Sequence, residues 1–415
     1  MAKLAILGGR PVAKLKAPAW PVHGREERRR LLKVLESGAW SWMGEMETAL
    51  NEAWAKFNGS KHSLLVTNGT HALQMAYEAL DIGMGDEVLV PASTWQATAA
   101  AALDVNAVPV LVDVAPETWC IDPKAAEAAI TPRTRAIAAV HLYGCMADMD
   151  ALMDLASRKG LSVVEDCAHQ HGSQWRGRGA GTIGEIGTFS FQQSKVMTSG
   201  EGGSILVQDD ALFVRLDQLR NCGRFSPHAP ETEQRYLQSG NYRVTEWQAA
   251  VLLGQLERLP KQLAQREAAA KRLNKLLAKL PGVRPLKRHE GVTRQSYYAY
   301  GLRFLPEEWE GISRDRFCAA LSAETGLTFH GVYEPLNRSP LYQPHTKNRH
   351  RLSDQYWAEI DPGRFELPAT ERMAYQEAVV TGHTSLLLPA REMDKVGEAI
   401  EKLHRSRDEL RKLEA

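Results

Sequence analysis

Between residues 62 and 207 the apolar positions fall in short runs separated by longer amphipathic stretches. Residues 63–66, 87–90, 109–113, 136–141, 162–165, 188–192 and 204–207 have the length and apolar content of strands. Residues 71–79, 95–105, 123–129, 149–158 and 210–220 alternate with them at helical spacing. This alternation predicts an α/β fold with a mostly parallel sheet covered on both faces by helices. Upstream, residues 1–22 read as an extended arm, and helices are expected over 25–37, stopped by Gly38, and over 45–57. Downstream, the pattern predicts a helix over 245–259 stopped by Pro260, then a separate charged helix over 261–279. Strands over 297–304 and 382–388 and helices over 314–325 and 391–413 complete the reading, with a loop region at 330–350. The shift in composition places a domain boundary near residue 260. The division is a large domain with its arm (1–260) and a smaller C-terminal α+β domain (261–415).

Composition narrows the function. With 44% hydrophobic and 24% charged residues the chain is an ordinary globular one. A net charge of +1 gives no electrostatic case for nucleic acid. No apolar run is long enough to span a membrane, and the N-terminal run is too short for a signal peptide, so the expected location is the cytoplasm. Five scattered cysteines without a CxxC pair, and histidines without ligand spacing, point away from disulfides and metal.

Ligand sites in parallel-sheet folds lie beyond the C-terminal ends of the strands, and polar residues collect there. They are Asn68 to Thr70, Ser93 to Trp95, Asp113, His141 and Tyr143, and Asp166 to His169. Gly69 and Thr70 at a helix start suit a phosphate, although taken alone a plain N-cap is the better reading. Trp95 is open between stacking on a flat ligand and packing in the core. Asp166 is open between a loop acid, a cap, an ion-pair partner and a group that holds a proton on a ring nitrogen. Lys195 sits between an aromatic strand and Ser199-Gly-Glu-Gly-Gly203, where backbone can approach a ligand closely. Gly179-Ala-Gly-Thr-Ile-Gly184 matches GxGxxG, but a polar stretch precedes it and a strand follows. Glycines of a hairpin or bulge are the better reading.

Taken in order, several motifs resemble those of one family. They are Gly69-Thr-His-Ala-Leu73, Val90-Pro-Ala-Ser-Thr-Trp95, His141-Leu-Tyr-Gly144, Asp166 with Ala168, and Phe189-Ser-Phe191. Lys195 with Glu201-Gly-Gly203, and Gly240-Asn-Tyr-Arg243, complete the set. Together they are similar to the DegT/DnrJ/StrS sugar aminotransferases, which are fold-type-I pyridoxal 5'-phosphate (PLP) enzymes. The resemblance implies that Lys195 bonds covalently to PLP and moves protons, that Asp166 pairs with the pyridine nitrogen, and that Trp95 stacks on the ring. It further implies His169 beside the ring hydroxyl, Gly69, Thr70 and Ser190 on the phosphate, and Asn241 reaching in from the second subunit of a homodimer. Related dehydratases carry histidine at the lysine position, so Lys195 favours transamination.

The run from Phe191 to Gly203 further resembles the glutamine:scyllo-inosose and 2-deoxy-scyllo-inosose aminotransferases of aminoglycoside biosynthesis. The implied reaction moves an amino group from L-glutamine or L-glutamate to a keto-cyclitol or keto-sugar by a ping-pong route through pyridoxamine phosphate. Tyr143, Trp40, Trp42, Tyr333 and Asn337 are candidates for a polyol pocket, and each is equally a packing residue. Arg243 sits beside Asn241 without an assigned role. One alternative is a nucleotide-diphosphate keto-sugar aminotransferase, for which Lys347-Asn-Arg-His-Arg351 would be the diphosphate site, although a solvated surface run is the better reading of that stretch. The other is a PLP-binding regulatory protein without turnover.

Overall fold

A computed structural model describes residues 3–230 and 235–412. Its strands in chain order are β1 (His62–Val66), β2 (Glu87–Pro91), β3 (Val108–Val112), β4 (Thr134–Val140) and β5 (Ser162–Asp166). The short β6 (Gln174–Trp175) and β7 (Arg178–Gly179) follow, then β8 (Ile186–Ser190) and β9 (Gly203–Val207). Seven of these form one sheet in the order β1-β9-β8-β5-β4-β2-β3, in which only β9 runs antiparallel to its neighbours. β2, β3 and β9 are buried along their whole length, as apolar strands covered on both faces must be. The helices of this region are α1 (Arg25–Ser37), α2 (Glu45–Asn58), α3 (Gly69–Ala79), α4 (Ala97–Asp104), α5 (Pro123–Ala128), α6 (Met149–Lys159) and α7 (Asp210–Arg220). Asn68, Asp148 and Asp209 cap α3, α6 and α7 by accepting the N–H of His71, Ala151 and Leu212.

Three expectations need correction. Pro260 does not end a helix: α8 (Glu246–Leu277) runs through it. Proline removes one helical hydrogen bond and crowds the preceding turn, a cost of ~3 kcal/mol. Buried Leu256, Leu259 and Leu263 on either side keep the helix packed across that defect. This one helix spans the boundary expected near residue 260: its first half packs on the large core and its second half packs on another. That second core surrounds a three-stranded sheet of β10 (Val283–Pro285), β12 (Ala299–Phe304) and β13 (Ala378–Gly382), together with α9 (Arg314–Thr325). β11 (Val292–Arg294) pairs with β6 instead.

The C-terminal strand expected over 382–388 lies one step earlier, because β12 pairs with Ala378–Gly382 in register, and Ser385–Leu387 forms a single 3-10 turn. The terminal helix is broken at Ser406 into Met393–Arg405 and Arg407–Arg411, and Leu413 lies outside the described residues.

Candidate active site

One cavity of about 720 Å³ opens where the parallel strands end. Each strand delivers its own part. The turn after β1 brings Gly69 and Thr70, the turn after β2 brings Trp95, the end of β5 brings Asp166 and His169, and the end of β8 brings Ser190 and Lys195. All seven line the same space. Tyr298, just before β12, and Tyr333 close it from the C-terminal part of the chain.

Lys195 is 9% exposed. Burial disfavours its charged form and pushes the ammonium down from 10.5 to about 8, while the nearby charge of Asp166 opposes the shift. A lysine tuned in this way holds a useful share of neutral amine near neutral pH. Asp166 is fixed by two donors. Its Oδ2 accepts the Thr98 hydroxyl at 2.8 Å and its Oδ1 accepts the Ala168 N–H at 3.2 Å. His169 Nδ1 accepts the Tyr143 N–H at 3.1 Å, so the ring proton sits on Nε2. Burial, and then the charge of Lys195, hold this imidazole well below its usual pKa, and it is neutral.

The first turn of α3 is built as an anion cradle. The Asn68 side chain takes the N–H of His71, and the N–H groups of Gly69 and Thr70 have no helical carbonyl to bond. A Cβ on Gly69 would stand 2.8 Å from Ser190 Cβ, so glycine is what lets the Ser190 hydroxyl come against this turn. His171, held neutral by burial with a pKa near 3, donates to the Ser190 carbonyl at 2.8 Å and steadies that residue from behind.

These observations fit PLP. An uncrowded helix start with a serine beside it suits the phosphate, and a fixed carboxylate suits a ring nitrogen. Trp95, 45% exposed at the cavity edge, offers a flat face, and the neutral His169 offers its Nε2–H.

Other residues of interest lie elsewhere. Asn241 does not line the cavity of its own chain; it bridges Asn221 in backbone pairing, and its Oδ1 accepts the Arg243 N–H at 3.2 Å. Trp40 packs on Trp247 with ring centroids 5.7 Å apart, and Trp42 lies under the guanidinium groups of Arg220 and Arg243. Tyr143 is buried behind the site, where its hydroxyl accepts the Tyr333 N–H at 2.9 Å. Asn337 donates to Phe365 O and Glu371 Oε1 away from the cavity. Of the basic run at 347–351, Arg349 pairs with Asp104 and Arg351 lies over Trp357; neither lines the cavity.

The sequence reading missed a second carboxylate. Glu165, next to Asp166 and fully buried, accepts hydrogen bonds from His141 Nε2 and from the N–H groups of Gly181, Ile183 and Gly184 at 2.7 to 3.0 Å. The GxGxxG segment therefore wraps a buried acid, which agrees with its rejection as a dinucleotide site. A charged residue inside the apolar run Ser162–Asp166 is the signal that would have found it. Tyr298 carries no such signal, because its neighbours in space are remote in the chain.

The model of the DegT/DnrJ/EryC1/StrS aminotransferase family matches residues 21–381. Among curated proteins, the chain is 41% identical to an L-glutamine:scyllo-inosose aminotransferase of Streptomyces griseus, over 96% of this chain and 97% of that one. It is 39% identical to an L-glutamine:2-deoxy-scyllo-inosose aminotransferase of Streptoalloteichus tenebrarius, over 98% and 99%. Among solved structures, 3-amino-5-hydroxybenzoic acid synthase is 33% identical with a TM-score of 0.80, over 94% and 99% of the two chains. DesI, solved in the presence of its TDP-sugar product, is 26% identical with a TM-score of 0.80, over 99% of both.

Proposed function

Since the chain belongs to the DegT/DnrJ/EryC1/StrS aminotransferase family, we propose that it is a PLP-dependent enzyme that moves the amino group of L-glutamine to a keto-cyclitol of the inosose type. The observation that carries this reading is the meeting of Lys195, Asp166 and the α3 start in one cavity. Bound there, PLP would supply the electron sink that lets an amino group and a proton be exchanged at an α-carbon. Asp166, held by Thr98 and Ala168, keeps a proton on the ring nitrogen. Lys195 would be the residue that bonds to the cofactor, and its amine would be the base and acid that moves the proton at the substrate α-carbon. Gly69, Thr70 and Ser190 would hold the phosphate, Trp95 would stack on the ring with His169 beside its hydroxyl, and Asn241 of a second copy would complete the phosphate site of a homodimer. Donor and acceptor use the site in turn, as in a ping-pong scheme.

The cyclitol reading has its own support. Lys195 is the one lysine or arginine lining the cavity among the described residues, whereas Thr70, Thr94, Ser190, Gln192, Ser194, Tyr298 and Tyr333 offer neutral polar groups. Such a lining matches ring hydroxyls. A nucleotide diphosphate asks for cations, and the basic run at 347–351 lies apart from the cavity. The test is turnover of scyllo-inosose and 2-deoxy-scyllo-inosose with L-glutamine, and of keto-sugar nucleotides in parallel. Lys195→Ala is expected to lower the rate by about 10²–10⁴-fold or more. Wild-type turnover by that variant would refute the role of the lysine. Turnover confined to sugar nucleotides would move the substrate class, and no reaction with any donor would favour a regulatory protein.

A further inference from the structure

Lys195 Nζ makes no hydrogen bond to any described residue; the contact it does make is with the face of Tyr298, 4.6 Å from the ring centroid. That ring is itself fixed. It stacks on His169 with centroids 3.8 Å apart and planes 18° from parallel. Its hydroxyl lies 3.0 Å from the Oγ of Ser194, the residue before Lys195. Ser194 spends its own hydroxyl proton on Gln192 Oε1 at 2.7 Å, so Tyr298 is the donor in the bond between them.

The backbone closes the same link. Tyr298 N–H donates to Tyr143 O, Tyr298 O accepts the His383 N–H, and His383 Nε2 donates to Ser194 O at 3.1 Å. His383 is held in that tautomer because its Nδ1 accepts from Arg266. The Tyr298 ring and the lysine turn are thus tied to one frame at several points.

We propose that Tyr298 is a positioning residue for the known type of reaction: its ring is the surface on which the free amine of Lys195 rests, and it fixes the direction from which that amine meets the cofactor and substrate. A ring face attracts an ammonium through its quadrupole. It does so without a full negative charge, so the lysine is steered but stays free to lose its proton. A carboxylate at the same place would hold the proton far more firmly. The phenol bond to Ser194 then serves to orient the ring, and the ring serves the lysine.

The inference rests on Lys195 being the reacting lysine, and the experiment separates the two. Tyr298→Leu, Tyr298→Phe and Lys195→Ala are compared in two measurements. The first is the rate at which PLP added to cofactor-free protein attaches to residue 195, trapped with borohydride and located by peptide mass. The second is kcat and KM for L-glutamine in the loaded enzyme.

Tyr298→Leu is expected to slow attachment and to lower kcat by about tenfold or more, with KM changed less than about threefold. Tyr298→Phe keeps the ring face and is expected to lose no more than about threefold, and a loss confined to attachment and kcat at unchanged melting temperature in Tyr298→Leu is what a merely structural role does not give. Wild-type attachment and kcat in Tyr298→Leu would overturn the proposal, as would equal losses in the two tyrosine variants. If instead Lys195→Ala still attached PLP at another residue and turned over, the reading of Lys195 would fail first.

Discussion

Replacing Asp166 by asparagine separates two effects of that carboxylate which have opposite signs. Burial pushes Lys195 down from 10.5 to about 8, and the charge of Asp166 pulls it back up. At pH 7.5 a lysine with a pKa of 10.5 is about 0.1% neutral amine, whereas one at about 8 is about 24% neutral, a gain of roughly 240-fold in nucleophile. Asp166→Asn removes the opposing charge. The midpoint of Lys195 therefore falls further, and more amine is present at neutral pH than in the parent. Turnover nevertheless drops, by about 10²–10⁴-fold or more, because an amide cannot hold a proton on the ring nitrogen as a carboxylate does. The assay is acylation of cofactor-free protein by a small activated ester across about pH 6.5 to 10.5, with modification at Lys195 read by peptide mass. A midpoint near 10.5 in the parent would refute the burial argument. A midpoint that rises in Asp166→Asn would refute the electrostatic one.

Three further outcomes are expected. Gly69→Ala forces a Cβ to 2.8 Å from Ser190 Cβ. Overpacking of this kind costs about 1–3 kcal/mol, so PLP affinity should fall by about 5- to 150-fold in a fluorescence titration. Gly382→Ala, with no atom within 4 Å of the new carbon, is the control, and equal affinities in the two variants would contradict the cradle.

Glu165→Gln leaves backbone donors facing an amide and should destabilise the protein by about 3 kcal/mol at neutral pH. Burial alone would raise the pKa of Glu165, but His141 and the amides of Gly181 and Gly184 together hold it below its usual value. The stability it contributes is thus present above its unfolded pKa of about 4.3 and is lost as pH falls through the lower folded value. The gap in melting temperature between parent and variant should close in acid, and a gap that stays open there would count against the network. Asn241→Ala should weaken PLP binding, and mixing it with Lys195→Ala chains should restore part of the activity through hybrid dimers. A fully active monomer would remove Asn241 from the site.

Most of the sheet, and one wall of the site, were readable because both are written locally. Asp166 and Ser190 end a strand, Gly69, Trp95, His169 and Lys195 lie just past one, and parallel strands deliver their ends to one edge. What was misread is decided by tertiary packing. Pro260 carries a strong local stop signal, yet buried leucines on both sides hold α8 together. Trp40, Trp42 and Asn337 are by type open between pocket and packing, and each finds its partner away from the cavity. Tyr298 and Ser194 are 104 residues apart, and His383 and Ser194 are 189 apart, so no window along the chain contains these pairs.

The same remoteness says how the two cores cooperate. Lys195 belongs to the large sheet, whereas Tyr298, Tyr333 and His383 enter from the C-terminal part. Arg266 stands between them on α8, the helix shared by both cores. Its guanidinium is fully buried with no carboxylate paired to it among the described residues, and burial pushes it down to about 9. Keeping a charge there is costly. What it touches explains its place: His383 Nδ1 at 3.0 Å, and through His383 the carbonyl of Ser194. The lysine turn is therefore complete only when α8 and the C-terminal part are docked on the large sheet. A substitution that loosens the second core should act on Lys195 before it unfolds the first.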